Sequence, residues 1–215
     1  MEVRTVSTTI PEEIACCVTH GIGALLSMAG LTLLVTLAIL QGEFVHVASC
    51  AVYGSTLVML YLTSTLYHTF QAPAIKHLFR VLDHICVYLL IAGSYTPFAL
   101  VNMRETWGWY LFFVMWGVAG AGTVFKIFYT GHYTVLSTLG YVAMGWVAVF
   151  ALEPIVRSLP LGGVILLSLG GLSYTFGLIF FAWERLPYNH AIWHLFVLAG
   201  SAFHFLAVFW YVLPW

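Results

Sequence analysis

Charge is nearly absent from this chain. Seven Lys and Arg and eight Asp and Glu make up 7% of 215 residues, while 62% are hydrophobic. Soluble domains carry about 25% charged residues, so a water-soluble globule is excluded. With a formal net charge of −1 there is no basic face for nucleic acid and no acidic tail. Cysteine is sparse too: Cys16, Cys17, Cys50 and Cys86 form no C-x-x-C pair. That speaks against a disulfide framework and a cysteine-type zinc ribbon. All four lie in apolar context and read as small membrane-core residues. Cys86 alone, one helical turn from Asp83, is expected to approach polar company. A cleavable signal peptide is not expected: only Arg4 precedes the first apolar run, Glu12 and Glu13 interrupt the approach, and the run is too long for a signal core.

Long apolar runs are abundant. A spanning helix needs about 20 mostly apolar residues, and seven windows qualify, roughly 13–40, 44–70, 78–101, 107–129, 133–152, 160–182 and 190–213. The breaks carry turn and charge signals: Gln41-Gly42-Glu43, Gln71 to Lys76 around Pro73, and Asn102 to Glu105. Thr130-Gly131-His132, Glu153 to Pro160 and Glu184 to Asn189 follow. Residues 1–215 therefore form one domain, an all-α seven-transmembrane helix bundle. Pro11, Glu12 and Glu13 suit the first turn of span one. Pro97 is expected to kink span three. The small residues of span four, Gly117, Gly120 and Gly122 among them, are expected to let helices approach closely. Trp107, Trp109, Trp183 and Trp215 fall near span ends, as interface anchors should.

Lys and Arg set the orientation. The N-terminal side receives Arg4, Lys76, Arg80, Lys126 and Arg185, and the opposite side receives Arg104 and Arg157. This predicts a cytoplasmic N-terminus and an outside C-terminus, opposite to a G-protein-coupled receptor. Span seven has no lysine for a retinal Schiff base. No internal repeat supports an inverted-repeat transporter.

That topology brings polar residues from non-adjacent spans to one depth. Span two ends near Ser64 and His68, one turn apart on one face. Span three begins with Asp83, and span seven begins with His190 and His194. All five lie on the inner side, roughly 5–10 Å below the surface by helix rise. Each has a plain reading. A lone membrane histidine can serve packing, Ser64 can bond back to its own helix, and Asp83 can pair with Arg80 one turn away. Jointly they need a charge account, because ionisable groups in hydrocarbon cost several kcal/mol without partners. Three imidazoles suit Zn²⁺ and leave a fourth position for water. Zinc lowers the pKa of such a water toward ~7 and polarises a carbonyl. Asp83 is then typed as general base or water-orienting group, and Ser64 as a hydrogen-bonding support for the water or a ligand. In His190-x-x-x-His194, Ala191 stands where a metalloprotease has its glutamate, so the base must come from another helix. His20, two turns into span one, is a further candidate for this layer. His204 lies about 15 Å deeper by helix rise. His84 is expected to point away from the Asp83 face, and His46, His77 and His132 fall in or beside loops; all four read as solvated or interfacial.

At these residues the chain resembles the haemolysin III family, the bacterial branch of the group containing the progestin and adipoQ (adiponectin) receptors. The matching stretches are Glu12-Glu13 with Thr19-His20-Gly21-Ile22-Gly23, Ser64-Thr65-Leu66-Tyr67-His68, and Leu82-Asp83-His84. They continue with Ile91 to Phe98 and with Pro187-Tyr188-Asn189-His190-Ala191-Ile192-Trp193-His194. The resemblance covers nearly the whole chain. It implies seven spans, an inward N-terminus and a bacterial inner membrane location. It implies zinc on His68, His190 and His194, with Asp83 contacting the metal through water and Ser64 nearby. Eukaryotic members are associated with hydrolysis of ceramide-like lipid amides, and alkaline ceramidases share the layout. The family name reflects lytic activity attributed to some members.

The expectation is a zinc-dependent hydrolase of a lipid amide or ester, its acyl chain arriving laterally between helices. A receptor-like or membrane-homeostasis protein with structural zinc, a cytolysin and an ion pathway are the alternatives. Membrane lipids are the expected partners.

Overall fold

The structure, a computed structural model, describes residues 9–215. Arg4, one charge in the orientation count, lies outside them. Eight α-helices follow in order: α1 (Ile10–Gln41), α2 (Phe44–Thr69), α3 (Pro73–Pro97), α4 (Gly108–Tyr129), α5 (Thr134–Gly145), α6 (Leu152–Ser158), α7 (Leu161–Ala182) and α8 (Asn189–Tyr211). No strand occurs among the described residues. The all-α membrane bundle expected from composition is borne out.

Local chemistry sets the helix limits. Pro11 and Pro73 occupy first-turn positions of α1 and α3, where a missing N–H costs nothing. Glu43 and His46 form a reciprocal capping box at the start of α2, with Glu43 N–H donating to His46 Nδ1 at 3.1 Å. Thus His46 is a capping residue. Beyond Pro97 the chain continues as a π-turn over Phe98–Asn102, so the proline changes the winding of the outer end of span three.

Among the described residues, six helices are long and apolar enough to cross a membrane: α1, α2, α3 with its π-turn, α4, α7 and α8. The fifth stretch is different from the single helix expected over 133–152. It breaks into α5, a 3₁₀ turn over Trp146–Val149, and α6, with a bend of 55° between the two parts. Residues 153–158, expected to be loop, lie in the helix Leu152–Ser158. By length and composition the bent pair can count as one further span, which gives six to seven in all among the described residues. Tyr141 Oη donates to the His84 carbonyl midway along α3, and Tyr95 Oη donates to the Gly145 carbonyl near the end of α3. Thus α5 runs alongside the second half of α3, and α8 begins at the same end as α1.

Extensive packing joins α1 to α2, α2 to α3 and α7 to α8, and α8 closes onto α1. Small residues permit the closest approaches. A Cβ on Gly177 of α7 would lie 2.6 Å from Phe196 Cβ and 2.7 Å from the Trp193 ring of α8. In span four only part of the glycine expectation applies. Gly122 is packed against the Tyr88 ring, at 2.7 Å from a built Cβ, whereas Gly117 and Gly120 face open space. Trp107, Trp109, Trp183 and Trp215 are all exposed at helix ends.

Candidate metal centre

Four helices meet at the end of the bundle where α1, α3 and α8 begin and α2 finishes. From α1, Glu13, Cys16 and His20 recur at spacings of three and four, so one face carries all three. Ser64 and His68 share a face of α2, and His190 and His194 share one of α8. The left-handed backbone of Tyr188 (φ 58°, ψ 23°) turns the chain into α8 just before His190. The Asn189 side-chain amide ties that turn to the Phe181 carbonyl at 3.3 Å.

The ligating atoms of Cys16, His68, His190 and His194 lie within 4.8 Å of one another, a group able to hold a metal ion. Tetrahedral zinc with ordinary bond lengths spaces its donors roughly 3.3–3.8 Å apart, so these donors need only small adjustments. The histidine rings interlock, with centroids 4.7 Å apart for His190 and His194 and 5.1 Å for His68 and His194.

Hydrogen bonds fix which nitrogen His68 and His194 offer. His68 Nδ1 donates to Glu13 Oε2 at 2.8 Å, leaving a buried Nε2 with no hydrogen-bond partner. Glu13 in turn accepts from Lys76 Nζ at 3.0 Å. A carboxylate behind a ligating histidine is the arrangement that sets its tautomer and raises its basicity. Thr19 spends its hydroxyl hydrogen on the backbone carbonyls of Ala15 and Cys16, both at 2.9 Å. Its oxygen is therefore the acceptor for His194 Nδ1 at 3.3 Å, and His194 offers Nε2.

His20 stands beside the group without belonging to it. Its ring stacks on His194 at 3.4 Å, its Nδ1 lies 2.7 Å from Ser64 Oγ, and its Nε2 is buried without a partner. Ser64 is buried and does not bond back to its helix, unlike Thr63, Thr65 and Thr69. Asp83 lies within electrostatic reach of His68 and Ser64. It makes no ion pair with Arg80 among the described residues. His20, Ser64, Asp83 and His194 line one end of an internal cavity of about 520 Å³. This cavity runs between α3, α5, α6, α7 and α8, past apolar walls that include Leu90, Phe98, Ile155 and Leu167.

Three residues differ from their sequence reading. Cys16, taken as a core residue, joins the three histidines, while Cys86 is buried outside the group. Glu13, taken as a helix-start charge, holds His68. His84 lines the cavity with an unpartnered Nδ1 and is not solvated, because adjacent helical positions can both flank a wide cavity. His204 lines the cavity further along and hydrogen-bonds the Leu167 carbonyl at 3.3 Å through Nε2.

Residues 8–205 match the Haemolysin-III related family. The chain belongs to the haemolysin III family. Its similarity to Hemolysin-3 of Bacillus cereus is 48% identity over 205 residues, covering 95% of this chain and 94% of that one. The Hemolysin-3 homolog of Bacillus subtilis (strain 168) is 43% identical over 203 residues, covering 94% and 95%. Monocyte to macrophage differentiation factor of Homo sapiens is 29% identical over 212 residues, covering 95% and 86%. No solved structure matches the chain significantly. The family resemblance seen in the motifs is thus borne out. This haemolysin III family member is a multi-pass integral membrane protein, and its bacterial relatives point to the cytoplasmic membrane.

Proposed function

We propose that this haemolysin III family member is a zinc-dependent hydrolase acting on a lipid amide or ester at the inner leaflet. The observation that carries the reading is the free, buried Nε2 of His68, backed by Glu13 and grouped with His190 and His194 at the end of an apolar cavity. His68, His190 and His194 would hold the ion, with Cys16 beside them and the fourth position left to water. Bound zinc supplies Lewis acidity toward a carbonyl and activates water at neutral pH.

The chain's own residues divide the remaining work. The cavity takes the acyl chain and keeps bulk water from the scissile link. Asp83, on the same wall, accepts the proton of the attacking water on a carboxylate oxygen and returns it to the departing nitrogen or oxygen. Ser64, held by His20, orients the water or the carbonyl. The acyl chain would enter laterally between the helices that line the cavity. With Lys76, Arg80, Lys126 and Arg185 at the site's end, and Arg104 and Arg157 at the other, the site faces the cytoplasm.

Cys16 favours a second reading. Four donors close a zinc site, and closed sites are structural; the protein would then be receptor-like or serve membrane homeostasis. Zinc content and hydrolysis of lipid amides and esters separate the two, measured on purified wild type, His194→Ala and Asp83→Asn. The hydrolase reading expects one zinc and turnover in wild type, loss of zinc in His194→Ala, and retained zinc without turnover in Asp83→Asn. Wild type that holds zinc and cleaves neither class of lipid would hand the site to the second reading.

A further inference from the structure

A second polar constellation lies on the same cavity, away from the histidine group. Lys126, in the last turn of α4, is 2% exposed. Its Nζ donates to Ser137 Oγ at 2.6 Å and lies 5.5 Å from the centroid of the Tyr141 ring. Ser137 directs its own hydrogen to the Thr134 carbonyl at 3.3 Å, so it can accept but not neutralise. An ammonium carries three donors, and Ser137 uses one. Lys126 makes no ion pair among the described residues. Asp83 is within electrostatic reach but beyond pairing distance. The carbonyls at the end of α4 offset only a small part of the cost of burying an unpaired ion. Nor does the lysine reach outward to water, as lysines near span ends commonly do.

Across the wall, His84 contributes a buried Nδ1 with no partner, and Lys126 is within its electrostatic reach. Both residues line the cavity, together with Ser137, Thr138 and Tyr141. Unspent ammonium donors and a partnerless ring nitrogen, able to donate in one of its tautomers, therefore meet one space whose remaining walls are mostly apolar. A neutral lipid leaves this charge without a directly paired counter-ion, with Asp83 in reach only at longer range. An amphiphile with one negative oxygen head answers it and fills the apolar remainder.

We propose that Lys126 and His84 form a recognition subsite for the oxyanion of an anionic amphiphile, a carboxylate or phosphate headgroup whose apolar chain occupies the cavity. The subsite is separate from the histidine group and does not depend on hydrolysis taking place there.

Binding of oleate, dodecyl phosphate and uncharged oleyl alcohol to purified metal-loaded protein tests this, using calorimetry in an uncharged detergent. Wild type should bind both anions at least about tenfold tighter than the alcohol. Lys126→Met should erase the difference and Lys126→Arg restore most of it, while His84→Phe should reduce it. Inorganic phosphate that displaces both amphiphiles at millimolar concentration would mark a free oxyanion as the natural occupant; failure to displace marks the lipid headgroup. Equal binding of anion and alcohol by wild type overturns the proposal, and that comparison needs no variant to fold. An anion preference that survives Lys126→Met but disappears in His194→Ala also overturns it, by placing the anion at the histidine group. None of these probes contains an amide or carboxylic ester, so a failure of the hydrolase reading leaves the result interpretable.

Discussion

The carboxylate of Glu13 meets the imidazole of His68 at 2.8 Å, joining the first turn of α1 to the last turn of α2. Because the carboxylate accepts from Nδ1, the opposite nitrogen, Nε2, is left to face the three other donors. Partners of this kind behind a ligating histidine typically contribute 10–100-fold in metal affinity. Glu13→Gln should therefore weaken zinc binding by about 10–100-fold, or ~1.4–2.8 kcal/mol, in competition with a calibrated chelator. An unchanged affinity would mean that His68 is not a ligand through Nε2.

Cys16 decides whether the site is open. Under the hydrolase reading, Cys16→Ser keeps one zinc per chain and keeps lipid turnover, since three histidines carry the ion. Cobalt substitution provides a readout independent of turnover. An intense thiolate-to-cobalt absorption in the near ultraviolet, lost in Cys16→Ser, would reveal a fourth ligand and support the structural reading. The hydrolase reading expects that band to be absent.

Much of this centre was legible from topology. Alternating crossings put the end of α2 and the starts of α3 and α8 at one level, and that sufficed to gather His68, Asp83, His190 and His194. Cys16 and Glu13 were not legible for a different reason. Apolar periodicity reports which helix face is buried, but α1 is apolar nearly all round, so its inward face carried no mark. A stripe drawn through His20 at spacings of three and four would have picked out both residues. The bend between α5 and α6 was equally hidden, because an apolar run of sufficient length looks the same whether straight or broken. Pro154 was read as a loop residue, yet it sits in the first turn of α6, where proline is tolerated.

Metal removal should cost stability as well as function. The group ties α1, α2 and α8 together, so an ion bound there stabilises the folded state by mass action, about 2.7 kcal/mol at a hundredfold excess over Kd. Dialysis against a strong chelator should lower the thermal midpoint, and zinc should restore it in wild type but not in His190→Ala. Equal midpoints with and without zinc would leave the group without a metal.

The α7–α8 seam offers a purely structural check. Gly177→Val places methyl groups where Phe196 and Trp193 already lie 2.6–2.7 Å from the first added carbon. Overpacking of this kind costs about 1–3 kcal/mol. Gly120→Ala, facing open space, should stay within about 0.5 kcal/mol of wild type. Thermal midpoints in one detergent compare the two, and equal losses would mean that the seam is looser than described.

The cavity's role in choosing substrates can be tested at Gly171. Leu167, Gly171, Tyr174 and Leu178 all line the cavity and recur along α7 at spacings of three and four, so they form its cavity face. A side chain at Gly171 meets nothing within 4 Å of its first carbon. Gly171→Trp should therefore fold, because it fills space without displacing a neighbour. It sits on α7, outside the group of Cys16, His68, His190 and His194, so zinc content should be unchanged. If the acyl chain lies along this face, the variant should raise KM for a long-chain amide at least about tenfold. A short-chain, water-soluble ester should be turned over as by wild type, since only its reacting link needs the polar end. Equal losses on both substrates would indicate damage to the site itself, and equal retention would mean that the chain binds outside the bundle.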